Sequence, residues 1–330
     1  MHKSYNQKLR MLAIIDVFNE YTDDDHSISL EQIQELLLEK ELGADRKTLY
    51  QDFNYLTEYG FEIIKENIGR TYYYKLVTRP FDLAELKFLV DSVQAAKFIT
   101  ERKSSEIIEK LSSPYFVSKY QAEALKRQVH INGRVKTINK SILLNIDKIH
   151  EAIKNNKQIR FKYFQWNAKK EAVYKHDGAM YYVSPWALIW DDENYYLVAF
   201  DSEAQKVKHF RVDKMTNMSI TENIQEALAE KAAFNAAEYS KSAFGMYGGK
   251  RVTVTLEAET SLVGVLIDRF GKDVAMYQRG KNKVEVWADV MLSPQFYGWL
   301  AGFGSAIRVT KPQSAVDDMK KLIKELKSAY

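Results

Sequence analysis

Residues 45–76 read DRKTLYQDFNYLTEYGFEIIKENIGRTYYYKL, and this stretch decides the fold of the N-terminal part of the 330-residue chain. Leu49, Phe53 and Leu56 recur with i, i+4, i+7 spacing, which is typical of a helix that buries one face. The spacing therefore predicts one short helix whose other face lies in solvent.

The ends of this helix and the element after it are also predicted. Asp45 is a favourable N-cap residue and Gly60 a favourable C-cap residue, so we expect the helix to lie between them. Two runs rich in aromatic and β-branched residues follow, at 61–66 and 71–76, around a turn-forming segment at 67–70. This pattern predicts a β-hairpin with Arg70 in its turn.

The helix face opposite the apolar residues carries side chains that suit a DNA major groove. These side chains are Arg46, Lys47, Thr48, Tyr50, Gln51 and Asn54. Arg70 in the hairpin turn suits a contact with the phosphate backbone. Two amphipathic helical patterns precede this stretch, at 9–15 and 30–37. Three helices and a hairpin in this order predict a winged helix-turn-helix over residues 1–79, with double-stranded DNA as its partner.

The charge of this region favours an alternative, in which the same helix face is only a solvated surface. Residues 1–79 contain ten Lys or Arg and fourteen Asp or Glu, a net charge of −4. A DNA-binding domain is normally basic, because phosphate neutralisation supplies much of the affinity. We therefore expect the acidic loop at 23–25 to face away from DNA, and two N-terminal domains of a homodimer to bind together.

Composition narrows the class of protein further. Apolar residues make up 46% and charged residues 28%, as in soluble globular proteins, and the chain has no cysteine. Disulfides, cysteine-ligated zinc and thiol catalysis are thereby excluded. The histidines lack metal-ligand spacing, and Gly245–Lys250 is one residue short of a phosphate-binding loop, so we expect a turn there. We expect no enzyme activity, catalytic residue, cofactor, metal or membrane contact, and a cytoplasmic location.

The pattern of apolar residues predicts a multidomain α+β chain. Helical spacing runs from 82 to about 111 and resumes at about 118–128 and 141–155, whereas residues after Lys157 alternate as strands do. The expected divisions are an N-terminal domain at 1–79, a helical linker or dimerisation region at 80–156, a strand-rich domain at 157–220, a connector at 221–250 and a C-terminal domain at 251–330. The last of these has the strand and helix order of a split βαβ sandwich.

Residues 181–215, YYVSPWALIWDDENYYLVAFDSEAQKVKHFRVDKM, resemble the WYL domain of bacterial transcription regulators. The Trp-Tyr-Leu triplet of that family corresponds to Tyr195-Tyr196-Leu197. Pro185 and the run from Phe210 to Met215 match in order and spacing, and Trp299–Pro312 resembles the end of the family's C-terminal extension. The resemblance covers nearly the whole chain.

This resemblance implies an SH3-like β-barrel, a homodimer, and a ligand that controls DNA binding. For several members of the family the proposed ligand is a nucleotide or nucleic acid. The residues that match as effector contacts are Tyr163, Tyr196, Arg211 and Lys214. Strand alternation adds His209 to these candidates, because it puts His209, Arg211 and Asp213 on one face. Lys214 stands where the family usually has Arg, which keeps the charge but loses a bidentate phosphate contact. The residues alone leave a second role open for Arg211, which is an ion pair with Asp213.

The sequence thus predicts a transcription regulator that binds a palindromic operator as a homodimer and responds to an anionic nucleotide or nucleic acid. A different class of function stays open beside it. The acidic N-terminal domain is also typical of a protein contact, so the chain can be an accessory nucleic-acid-binding module that activates a partner enzyme.

Overall fold

The computed structural model describes residues 2–127 and 136–330, with side chains described at 7–125 and 136–330. The chain divides into two compact units, Met1–Thr137 and Ile138–Tyr330. The first unit is mainly helical, and most of the strands belong to the second.

The first unit begins with three helices and a small sheet. In chain order the elements are α1 (His2–Tyr21), β1 (Ile28–Ser29), α2 (Leu30–Glu39), α3 (Arg46–Tyr59), β2 (Ile63–Ile68) and β3 (Thr71–Leu76). Ser29 forms a capping box with Gln32, which fixes the start of α2. The strands pair in the antiparallel order β1-β3-β2, and Phe18, Leu37 and Leu49 lie in the shared core. The predicted helix and hairpin are both present.

Three further helices complete this unit: α4 (Leu83–Ala95), α5 (Glu101–Leu111) and α6 (Lys119–Arg127). The sequence pattern predicted helical structure without a break to about residue 111, and this prediction is wrong between α4 and α5. Ala96 is extended, and the Thr100 hydroxyl accepts a hydrogen bond from the Lys103 amide, which starts a new helix. Phe98 and Ile99 are buried, so the break itself supplies core side chains. Gln128, the predicted end of the next helix, lies outside the described residues.

The second unit begins with one helix and a curled antiparallel sheet. The elements are α7 (Ile142–Lys154), β4 (Lys157–Trp166), β5 (Ala172–Tyr174), β6 (Tyr181–Asp191), β7 (Asn194–Asp201), β8 (Lys206–Arg211) and β9 (Met215–Ile224). The strand order is β5-β4-β6-β7-β8, and β9 pairs with β4. Neither β5 nor β9 was predicted. Asn145 of α7 donates to the Met215 carbonyl, which ties the helix to the start of β9.

A connector and a second sheet follow. The elements are α8 (Leu228–Ala232), α9 (Ala236–Ser242), β10 (Lys250–Glu259), α10 (Val263–Phe270), β11 (Ala275–Arg279), β12 (Lys283–Leu292), α11 (Pro294–Ala301), β13 (Ile307–Lys311) and α12 (Gln313–Ala329). The strand order β11-β12-β10-β13 is antiparallel throughout. Val254, Leu256 and Ala258 alternate as the buried face of β10 and pack with side chains of the helices. The predicted order of strands and helices after residue 250 is present.

Candidate functional site

Helix α3 is held by caps at both of its ends. The Asp45 carboxylate accepts a hydrogen bond from the Thr48 amide at 2.8 Å, and this bond lowers the pKa of Asp45. Gly60 ends the helix with φ of 116°, a conformation that glycine adopts without strain. Leu49, Phe53 and Leu56 are buried, so the rotation of the helix about its axis is fixed by the core.

Five of the seven residues predicted to contact DNA are exposed. They are Arg46, Lys47, Gln51 and Asn54 on α3, and Arg70 in the hairpin turn. Thr48 and Tyr50 are half-buried. The Tyr50 ring lies 6.5 Å from the Tyr74 ring, and a side-chain hydrogen bond from Arg46 to Tyr50 raises the pKa of Arg46. Tyr50 thus positions the first arginine of the helix and presents less of its own surface than the sequence pattern suggests.

Two features of this surface were not predicted. Tyr55 is 41% exposed and receives a hydrogen bond from the Gln51 amide, which limits the orientations of that amide. In the hairpin, the Lys65 ammonium lies 3.7 Å from the centre of the Tyr72 ring. The i, i+4 spacing of Gln51 and Tyr55 was a usable signal in the sequence, whereas the Lys65–Tyr72 pair depends on strand register.

The acidic loop after α1 is fixed by burial and hydrogen bonds of Asp23, which its sequence does not indicate. Asp23 is 4% exposed and accepts hydrogen bonds from the Ser118 hydroxyl, the His26 ring and the Asp25 amide. Burial alone would raise the pKa of Asp23, but these bonds outweigh it and lower the pKa. The loop is therefore part of a contact with the residue that precedes α6.

A second site is a cavity of about 660 Å³ on the curled sheet of the second unit. Its lining contains four tyrosines, two histidines and four cations. These side chains are Tyr163, Tyr181, Tyr196, Tyr247, His176, His209, Lys175, Lys208, Arg211 and Lys214. The remaining lining residues, all within the described part of the chain, are apolar or glycine, so no carboxylate lines the cavity. This volume is in the usual range for small-ligand sites.

Arg211 makes a fixed network at the end of β8. Its Nε and one terminal nitrogen donate to the two oxygens of Asp213, at 3.0 and 2.9 Å. The same terminal nitrogen donates to the Asn194 side-chain oxygen at 2.8 Å. Burial lowers the pKa of Arg211, but the Asp213 carboxylate outweighs this effect and raises it. Arg211 therefore makes the ion pair that the sequence left open, while its side chain stays 34% exposed and lines the cavity.

The other predicted effector residues surround this arginine. The Tyr163 hydroxyl accepts a hydrogen bond from the Arg211 amide at 3.2 Å, and burial raises the pKa of Tyr163 to about 12. Burial and the nearby Arg211 charge lower the pKa of Lys214. Tyr196 lines the cavity, whereas its neighbour Leu197 is fully buried.

His209 connects the cavity with the connector. One of its ring nitrogens lies 2.7 Å from the Tyr239 hydroxyl of α9. Burial lowers the pKa of His209, and a hydrogen bond to the Met246 backbone partly opposes this effect. The five predicted effector residues thus all line one cavity, and sequence reasoning missed Lys175, His176, Tyr181 and the glycine-rich wall. The glycine spacing at 245, 248 and 249 was the one signal for that wall.

Within the described residues, no group of three or more His, Asp or Glu side chains is arranged to hold a metal ion. No helix of the described chain is both long and apolar enough to cross a membrane.

Comparison with known proteins gives two family matches. Residues 145–220 match the model of the WYL domain, and residues 250–327 match the model of the WCX domain. No curated protein matches the chain significantly. Among solved structures, the chain is similar to proteasome accessory factor B/C (PafBC) of Arthrobacter aurescens, with 17% identity and a TM-score of 0.27. That match covers 96% of this chain but only 46% of the other, and its TM-score is too low to indicate a shared overall arrangement.

Proposed function

Since this chain belongs to the WYL-domain regulator family, we propose that it is a DNA-binding transcription regulator controlled by an effector in the cavity of its curled sheet. It carries out no catalysis in this proposal. The observation that supports DNA binding best is the outward face of α3, where basic and amide side chains stand exposed. The hairpin that follows α3 carries the exposed Arg70 in its turn. We propose that residues 1–79 are a winged helix-turn-helix, with α3 in the major groove and the hairpin on the backbone.

The exposed cations of this surface are few. Arg46, Lys47 and Arg70 stand on a domain whose net charge is −4. Each phosphate contact contributes modestly, so a single domain has a small electrostatic contribution to affinity. A homodimer on a palindromic operator doubles the number of contacts, which is why we propose that oligomeric state.

The effector is proposed to be an anionic nucleotide or nucleic acid. Tyrosine faces suit stacking on bases, and the described residues that line the cavity include four tyrosines and four cations but no carboxylate. Lys175 and Lys214 are the cations best suited to a ligand phosphate, because Lys208 is paired with Asp201 at 2.7 Å and Arg211 with Asp213. The curled sheet is proposed to be the SH3-like barrel of this family.

Operator binding is tested with Lys47→Ala. We expect the variant to bind DNA fragments enriched from the genome about tenfold more weakly and to lower the slope of log affinity against log salt by about 1. Lys110→Ala, an exposed lysine on α5, is the matched control and should change neither quantity. Equal affinity of wild type and Lys47→Ala, at equal thermal stability, would sink the DNA-binding assignment of α3.

The acidic N-terminal domain supports one second candidate, an accessory module that activates a partner enzyme through a protein contact. The two candidates differ in salt dependence. An operator-binding protein loses affinity for DNA steeply as the salt concentration rises, because it releases counterions from the phosphates that it contacts. The affinity of a protein contact through an acidic surface does not depend on a number of phosphate contacts. A salt slope near zero for enriched DNA would favour the accessory module.

A further inference from the structure

One wall of the cavity comes from the end of the connector, residues 243–249, which we call the strap. Gly245, Met246, Tyr247 and Gly248 of this segment line the cavity. The Tyr247 amide donates to the Phe244 carbonyl at 3.1 Å, and both residues between them have φ of 56°. The strap is therefore a tight turn with left-handed central residues, one of which is a methionine.

Two side chains of this turn, Phe244 and Met246, lie in different hydrophobic clusters. Phe244 lies in the core of the C-terminal sheet, where the Arg269 guanidinium stands 3.9 Å from its ring centre. Met246 is 4% exposed and packs in a separate cluster with Ile189 of β6 and Met291 of β12. One turn thus contacts both the curled sheet and the C-terminal sheet through two side chains that are separated by Gly245.

His209 attaches the strap to the cavity from the inside. Its imidazole bonds to the Tyr239 hydroxyl on one side and to the Met246 backbone on the other. A neutral imidazole has one donor and one acceptor, so it donates to the Met246 carbonyl and accepts from Tyr239. A ligand that contacts His209 therefore contacts the residue that holds the strap.

Tyr247 lies on the strap and not on a strand, unlike the other three tyrosines of the cavity. It is 51% exposed and is followed by two glycines, whereas Tyr163, Tyr181 and Tyr196 lie on strands. A side chain at Gly249 would overlap the Leu292 carbonyl oxygen, so the strap enters β10 through a position that only glycine fills. Because Leu292 belongs to β12, the strap also contacts that strand directly.

We propose that the strap transmits effector occupancy from the cavity to the C-terminal sheet, with Tyr247 closing on the bound base and Met246 changing its packing against Met291. This proposal rests on the proposed function, since it needs an effector in the cavity. Tyr247 is then a binding residue from outside the curled sheet, and the strap is the element that responds to binding. Because the strap has one side chain in each of the two clusters, a movement of either side chain alters the packing of both clusters.

The test is amide hydrogen exchange of the full-length protein with and without a probe, the single-stranded tetranucleotide dT4. We expect saturating dT4 to change exchange at residues 286–292 of β12 in wild type. Tyr247→Ala should bind dT4 about 5- to 150-fold more weakly, as expected for one lost stacking contact, and at saturation should leave exchange at 286–292 unchanged. Tyr182→Ala, which removes a 44% exposed tyrosine outside the cavity, is the matched control and should behave as wild type.

The outcomes distinguish the role of the strap from the existence of the effector site. If wild type binds dT4 but β12 does not respond, or responds equally in Tyr247→Ala, the transmission role of the strap is wrong while the effector site stands. If wild type does not bind dT4, the strap proposal fails. If wild type also does not bind the mononucleotide AMP, the proposed effector class is wrong as well. Equal thermal unfolding midpoints of the three proteins exclude a folding defect as the cause.

Discussion

Replacement of Arg211 by Met separates a structural role of this arginine from a role in ligand binding. Methionine keeps the apolar stem of the side chain and removes three hydrogen bonds, two to Asp213 and one to Asn194. Asp213 is 8% exposed, so the variant leaves a buried carboxylate without its cation. The change therefore affects stability as well as the cavity.

The size of the stability effect follows from burial. Breaking a fully buried ion pair costs roughly 3–5 kcal/mol. The Arg211 side chain is 34% exposed, so water screens part of the interaction and we expect a loss of about 2 kcal/mol in the free energy of unfolding. For a unit the size of residues 138–330, this corresponds to about 4–8 °C in Tm.

The assay combines urea unfolding with dT4 binding for three variants. Arg211→Met should lose both stability and affinity. The double variant Arg211→Met/Asp213→Ala should regain stability to within about 1 kcal/mol of wild type, because no charge is left unpaired, but should not regain affinity. Arg160→Met, at an exposed arginine of β4 bonded to Ser219, is the control and should change neither. Recovery of affinity in the double variant would refute a ligand contact by Arg211, and unchanged stability of Arg211→Met would refute the stabilising ion pair.

Two further predictions concern the strap and the loop after α1. Gly249→Ala should lower the free energy of unfolding by about 2–4 kcal/mol, because its Cβ overlaps the Leu292 carbonyl at the start of the β10–β12 ladder. Gly248→Ala, whose Cβ meets only the His209 ring at 3.8 Å, should cost less than about 1 kcal/mol in the same urea titration, and equal costs would contradict the overlap. Asp23→Asn should cost about 1–2 kcal/mol at pH 7. Since hydrogen bonds outweigh burial and hold the pKa of Asp23 below its ordinary value of 3.8, the stability from this group is complete above that value and is lost as pH falls through the folded-state pKa. The difference between wild type and Asp23→Asn should therefore shrink below about pH 4, and a constant difference in urea midpoints between pH 7 and pH 3.5 would show that the ionised carboxylate is not the stabilising form.

Local signals in the sequence predicted the elements that depend on neighbouring residues. The Asp45 cap, the Gly60 cap and the apolar spacing between them define α3 closely, because capping and helix periodicity act within a few residues. The hairpin was predicted with its first strand two residues too early, since Phe61 and Glu62 form no part of β2. The residue at which a strand begins depends on its pairing with the neighbouring strand, and the local composition does not specify that pairing.

The cavity was only partly predictable. Alternation along β8 predicted His209, Arg211 and Asp213 on one face, but the strand ends at Arg211 and a 3-10 turn at Val212–Lys214 follows. That turn brings the Asp213 carboxylate onto the Arg211 guanidinium, a contact that strand geometry alone does not give. The strap wall lies more than thirty residues further along the chain, so only the tertiary fold brings it to the same cavity.

The net charge of the N-terminal domain differs from the charge that its surface presents, because several charged side chains form ion pairs or are buried. Arg10 and Asp52 form an ion pair at 2.6 Å with exposed fractions of 12% and 1%, so neither charge is presented to a partner. Asp23 is buried as well, and Lys75 pairs with Glu66. If the proposed function holds, a DNA backbone would therefore meet the exposed cations of α3 and the hairpin, in a domain whose net charge is −4. Because affinity from phosphate contacts scales with their number, and acidic surface repels DNA at low salt, a second copy of the domain raises affinity more than any single added cation does. This is the physical reason to expect the dimer and the DNA contact to be lost together.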